Sequence, residues 1–130
     1  MTQSIETPIA TGELIDKIAI LEIKAERIAD ASKTANVWTE LTLLRQRRDA
    51  VLRPGPVLND LATRLKTINE RLWDLEDAIR DCERRQDFGA DFVTAARAIY
   101  RANDARAAVK REINVATGSD LIEEKSYASY

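Results

Sequence analysis

From residue 58 to residue 82 the apolar side chains keep one spacing without a break. Leu58, Leu61, Leu65, Ile68, Leu72, Leu75, Ile79 and Cys82 follow one another at alternating steps of three and four. A strand cannot gather such a set on one face, because its side chains alternate with a period of two. A helix can, and an alternation held this long is a coiled-coil-like seam of roughly 30 residues, about 45 Å at ~1.5 Å per residue. Trp73 widens it. The chain must cover a long, narrow apolar stripe with other helices, its own or those of another copy.

Three further segments have the pattern to do so. Over about 12–30, Leu14, Ile18, Leu21, Ala25 and Ile28 repeat the alternation, and Ile15, Ile20 and Ile23 broaden the face until it requires at least two neighbours. Thr11 stands where an N-cap belongs, with Glu13 placed well for the helix dipole. Ser32 is expected to cap a second helix over about 33–52, whose seam is Val37, Leu41, Leu44 and Val51, interrupted by Arg48. "RPGP" at 53–56 ends it, since two prolines flank a glycine. The long helix then occupies about 57–86, and "DFGAD" at 87–91 breaks the pattern, with Gly89 expected at the turn. An alanine-rich fourth helix spans about 90–117 and stops at Thr117-Gly118. In the tail, 118–130, Ser119 could cap one further helical turn.

The expectation is an all-α chain: one helical domain over 1–130, built as two unequal hairpins in an elongated antiparallel bundle. A seam that outruns its own partners points to completion by dimerisation; the alternative is a self-contained four-helix bundle. Only 5% of residues are aromatic, and four glycines and three prolines are few for a sheet protein.

Composition narrows function as well. Twenty Lys and Arg against 22 Asp and Glu make a net charge of −2, too small a field to draw nucleic acid or an anionic membrane. Histidine is absent. That removes the usual general base near neutral pH, Ser-His-Asp chemistry and every histidine metal site. A single cysteine, Cys82, rules out an internal disulfide and a one-chain thiolate zinc site, and it fits a reducing cytoplasm. "MTQSIETPIATGELIDK" lacks the apolar run after a basic start that marks a signal peptide. No apolar stretch approaches the ~20 residues of a membrane helix. No cofactor, metal or membrane is expected, and a cytoplasmic location is.

"GELIDKIAILEIKAERI", "INERLWDLEDAIR" and "YRANDARAAVKREINVATGSDLIEEKSYASY" together resemble blocks found, in the same order, in an uncharacterised family of small bacterial all-helical proteins, the domain of unknown function 6165 family. The resemblance covers most of the chain, and its final block is the most specific. It implies a helical fold and draws attention to three polar blocks, but it supplies no activity and no catalytic residue.

The polar residues that need explaining lie on the fourth helix. Asn103, Arg106 and Lys110 fall on the line that Phe92 and Ile99 would bury, with Asp104, Arg111 and Asn114 beside them. Residues 90–117 hold five cations and three acids. Lys or Arg buried without a partner costs several kcal/mol, so acids must be near. Glu22 on the first helix, Glu76 on the third and the acidic tail are the expected partners, and the alanines beside the polar line set it at the edge of the core. The stripe reads as an interior salt-bridge network fixing helix register, as an anion pocket or as a solvated face. The tail carries Glu123, Glu124 and Lys125 with Leu121, Ile122, Tyr127 and Tyr130, an acidic segment with apolar anchors next to a basic helix. It could dock on its own fourth helix, on another subunit or on a partner, or stay a disordered terminus.

Two other clusters have plainer readings. "RQRRD", Arg45 to Asp49, with Arg53, could hold phosphates, but no aromatic interleaves and a solvated face suffices. Asp74, Glu76, Asp77 and Asp81 could gather a cation, but Arg71, Arg80 and Arg84 interleave as surface pairs.

The function expected is non-catalytic: a helical oligomer, a dimer, that engages a protein partner through the fourth helix and the tail. The alternative is a small helical enzyme, or a binder of an anionic metabolite. "GELIDKIAILEIKAERI" is distantly similar to the opening helix of chorismate mutase, which implies an electrostatic site of converging cations, here Arg106, Lys110 and Lys17 or Arg27. Nucleic acid, through Arg45, Arg47, Arg48 and Arg53, is the least favoured partner.

Overall fold

Four helices follow one another in the computed structural model, which describes residues 3–130: α1 (Thr11–Arg27), α2 (Ala31–Val51), α3 (Pro56–Arg84) and α4 (Ala90–Thr117). No strand occurs among the described residues. The chain is all-helical, two antiparallel hairpins packed as a bundle. The hairpins are not equivalent. α1 packs against all three other helices, whereas α2 packs against α1 alone.

The breadth of the α1 face explains its central place. Leu14, Ile18 and Leu21 turn towards Val37 and Leu41 of α2. Ile15 turns the other way, into a second cluster with Leu61 and Leu65 of α3 and Val109 and Ile113 of α4. Burying a residue of this size stabilises by about 1.5–3 kcal/mol, so α1 contributes to two cores at once. The seam of α2 is shorter than its spacing suggested. Val37 and Leu41 are buried, but Val51 is 59% exposed, because α2 has no second neighbour at that end.

Helix ends correct several expectations. α1 stops at Arg27 rather than near residue 30, because Asp30 caps α2: its Oδ1 accepts from the backbone N–H groups of Ser32 and Lys33. Ser32 is therefore not the cap; its hydroxyl donates to Asp30 instead. Pro56 occupies the first turn of α3, where a missing N–H costs nothing. At the other end of α3 the N–H of Gln86 reaches the Glu83 carbonyl and that of Asp87 the Cys82 carbonyl. That is a Schellman stop with its left-handed residue at Gln86 (φ 56°), not at Gly89. α4 ends in the same motif with a glycine, Gly118 at φ 64°. Beyond it the tail contains no helical turn, so Ser119 caps nothing within the tail.

Candidate functional site

The polar stripe of α4 meets the N-terminus of α1. The first N–H groups of any helix lack intrahelical partners. Thr11 does not cap α1 with its side chain. Asn114 does so from α4: its Oδ1 accepts from the Gly12 N–H at 2.7 Å, and Ser119 Oγ accepts from the Thr11 N–H at 3.2 Å. The Thr11 hydroxyl lies between Asn114 and Thr117 instead. Glycine at position 12 is what allows this approach. A methyl there would collide with the Lys110 carbonyl and lie 3.0 Å from Asn114 Oδ1.

One turn along, Lys110 is surrounded by acid. Its Nζ donates to Glu13 at 2.6 Å and to Glu123 of the tail at 3.0 Å, and Asp16 lies 3.9 Å away. Only 12% of the Lys110 side chain is exposed. Burial works against its charge, but the hydrogen bonds to Glu13 and Glu123, with the charges of Glu13 and Asp16, prevail and hold the amine above its usual range. Asp16 is itself buried and accepts from Asn69 Nδ2 at 2.8 Å, while Asn69 Oδ1 accepts from Arg106 at 3.4 Å. The network Arg106–Asn69–Asp16–Lys110–Glu13 thus ties α4, α3 and α1 together. Among the described residues no buried side-chain polar atom is left without a partner.

Two of the expected acids are elsewhere. Glu22 pairs with Arg45 of α2 at 2.9 Å, and Glu76 with Arg80 of its own helix at 3.3 Å. The third expected source, the acidic tail, does reach Lys110 through Glu123, and Glu13 and Asp16 complete the set. Glu13 is expected only as a dipole partner, and Asp16 is not among the expected residues. Asp16 stands between Ile15 and Ile18 on an apolar face, the same signal that singled out Glu22.

The tail runs back along α4. Glu124 contacts Arg111 at 3.2 Å, the Tyr130 hydroxyl donates to Asp104, and the Tyr130 ring meets Tyr100 edge-on, 5.1 Å between centroids. Hydrogen bonds from Lys125, then from Lys110, hold the Glu123 carboxyl below the usual carboxylate range. Between the tail and α4 lies a cleft of about 700 Å³, lined by Tyr100, Asn103, Asp104, Arg106, Ala107 and Lys110 on one side and Lys125, Tyr127, Ala128 and Tyr130 on the other. Of the residues singled out in sequence, Asn103, Asp104, Arg106, Lys110, Lys125 and Tyr127 meet here. Arg111, Asn114, Glu123 and Glu124 adjoin the cleft, and Glu22 and Glu76 lie away from it.

The other clusters are dispersed into pairs. Arg27 reaches Asp74 and stacks over Trp73, and Lys17 leans on Glu13, so neither joins Arg106 in the cleft. Arg45 and Arg48 pair with Glu22 and Asp49, and Arg45 also lies over Trp38, an aromatic seven residues earlier that the local reading of "RQRRD" passed over. Asp81 is held by Arg84 and Arg85. None of the described helices is long and apolar enough to cross a membrane.

The chain matches a family described as "Family of unknown function (DUF6165)" over residues 5–130, and it belongs to that family. No curated protein and no solved structure matches it.

Proposed function

We propose that this member of a family without an assigned activity is a non-catalytic helical binding module, and that it grips an acidic, aromatic-bearing protein segment along α4. The observation that carries the reading is the tail. Residues 120–130 form no helix or strand and are exposed throughout, yet Glu123 and Glu124 lie on Lys110 and Arg111, and Tyr130 on Tyr100 and Asp104. The tail behaves as a peptide ligand supplied in cis. Exposed ion pairs contribute only ~0–1 kcal/mol each, so a partner of like chemistry can displace it. A second copy of the chain carries the same segment, and reciprocal exchange of tails would make a homodimer.

Truncation after Leu121 tests this, because it keeps Ser119, whose side chain caps α1. A synthetic peptide of residues 120–130 is then titrated in trans by calorimetry. The peptide should bind the truncated chain, weaken with added salt, and bind the full-length chain at least about tenfold less tightly, since the surface is already occupied. A truncated chain with unchanged helical circular dichroism and no affinity for the peptide would overturn the proposal.

A further inference from the structure

We propose a second, smaller site in the cleft beneath the tail: a pocket for an organic monocarboxylate with a flat or aromatic body, held by Arg106 and Asn103. Arg106 occupies a seam position of α4, in the series Ala95, Ile99, Ala102, Arg106, Val109, Ile113, where apolar residues are the rule. It is half-buried, and no carboxylate of the described residues lies within 4.0 Å of it; its one hydrogen bond is the long one to the Asn69 amide oxygen. Lys110 and Lys125, the other cations of the cleft, each have an acid. Asn103, one turn earlier on the same face, is half-buried and makes no hydrogen bond with the described residues. A guanidinium fork and an amide, both with unused donors, therefore line one cleft, which is the donor set that reads a carboxylate.

Local charge selects among anions. The cleft is lined by Arg106, Lys110 and Lys125 and by one acid, Asp104; Glu13, Asp16 and Glu123, outside the lining, already engage Lys110 and Lys125. A doubly charged phosphate would find its further cations already engaged and Asp104 in the same wall, whereas a single carboxylate needs Arg106 alone. The rest of the ligand would lie on the tail. Both tail tyrosines wall the cleft, but the Tyr130 ring is taken, edge-on by Tyr100 and under the Arg101 guanidinium 5.8 Å from its centroid; Tyr127, 79% exposed, is the ring open to a flat apolar body.

The test uses the full-length chain, followed by thermal shift and tyrosine fluorescence against benzoate, acetate and inorganic phosphate. Benzoate should bind at millimolar concentration or below, acetate more weakly and phosphate most weakly. Arg106→Gln should weaken benzoate at least about tenfold, and Asn103→Ala about threefold, while Arg97→Gln, an exposed α4 cation outside the cleft, changes nothing. Should Arg106→Gln fail to fold, Tyr127→Ala decides at an exposed position: it should weaken benzoate and leave acetate unchanged. Benzoate binding that survives both Arg106→Gln and Asn103→Ala, an absence of any response to benzoate, or phosphate binding tighter than benzoate would each overturn the assignment.

Discussion

Near α1, the seam between α3 and α4 is closed to solvent: Leu65 and Ile113 are fully buried, and Leu61 and Val109 nearly so. Beyond Trp73 the same three-four spacing buries the small Cys82 and Ala95 but leaves the larger Leu75, Ile79, Phe92 and Ile99 half-buried, with Phe88 and Val93 about half exposed. The two halves of the hairpin have one sequence rhythm and two levels of burial. The difference is the third helix. α1 begins beside Asn114 and its last residue, Arg27, pairs with Asp74, so no third helix covers the far half. A regular seam therefore specifies that a partner helix exists; it does not specify how deep the core will be. The halves also differ in polar chemistry. The near half ties three helices together through buried Asp16, Asn69 and Asn114, and the far half carries exposed pairs such as Arg80–Glu76 and Arg84–Asp81, which contribute little.

The largest effect that separates the halves is a cavity. Leu65→Ala should lower the unfolding free energy by about 2–5 kcal/mol and Ile79→Ala by about 1 kcal/mol, since solvent already reaches the second site and less apolar contact is lost. Urea titration of both variants measures the gap, and equal losses would mean that the far half is a core of its own. Next comes the long-range cap. Asn114→Ala leaves the Gly12 N–H buried without its acceptor and should cost about 1–3 kcal/mol, with faster hydrogen exchange at the start of α1.

A gain is expected at the far turn. Gln86 holds a left-handed conformation that a side chain opposes, so Gln86→Gly should stabilise by up to about 1 kcal/mol; Gly118→Ala, at the matching position of α4, should destabilise by about as much. A thermal melt of the two variants would show opposite signs. The smallest effect is electrostatic and confined to the tail. Glu123 is held below its ordinary value by Lys125 and Lys110, so its contribution to docking is complete above about 4.5 and fades as pH falls through the lowered folded value. Lys110 runs the other way: its amine is held above 10.5, so its contribution is complete below that value and is lost as pH rises through the raised one. Tail resonances followed by NMR across both limits should shift in acid and in strong alkali and stay constant between. High salt should loosen the tail at neutral pH without lowering helix content.

Much of the architecture was legible because it is written locally. The wide face of α1 announced more than one neighbour, and the alternation of α3 announced a hairpin partner. The polar line of α4 was legible as an edge-of-core feature, and of its partners only the acidic tail was. Glu22 and Glu76 satisfied every local criterion, yet Arg45 and Arg80 were nearer. Cap assignments failed for a related reason. Ser32 and Thr11 are good capping types, but Asp30 offered a charged acceptor to α2, and Asn114 reached α1 from across the bundle.

The sequence by itself determined the helical class and the seams, because both follow from the 3.6-residue repeat and act over one or two turns. Tertiary structure decided which acid completes Lys110, which amide caps α1 and where the tail lies. Glu13 is 97 positions from Lys110, and Gly12 is 102 from Asn114. Contacts at that separation depend on how closely and at what register α1 crosses α4, and that crossing is set by the packing of α1 between two cores, which no local pattern specifies.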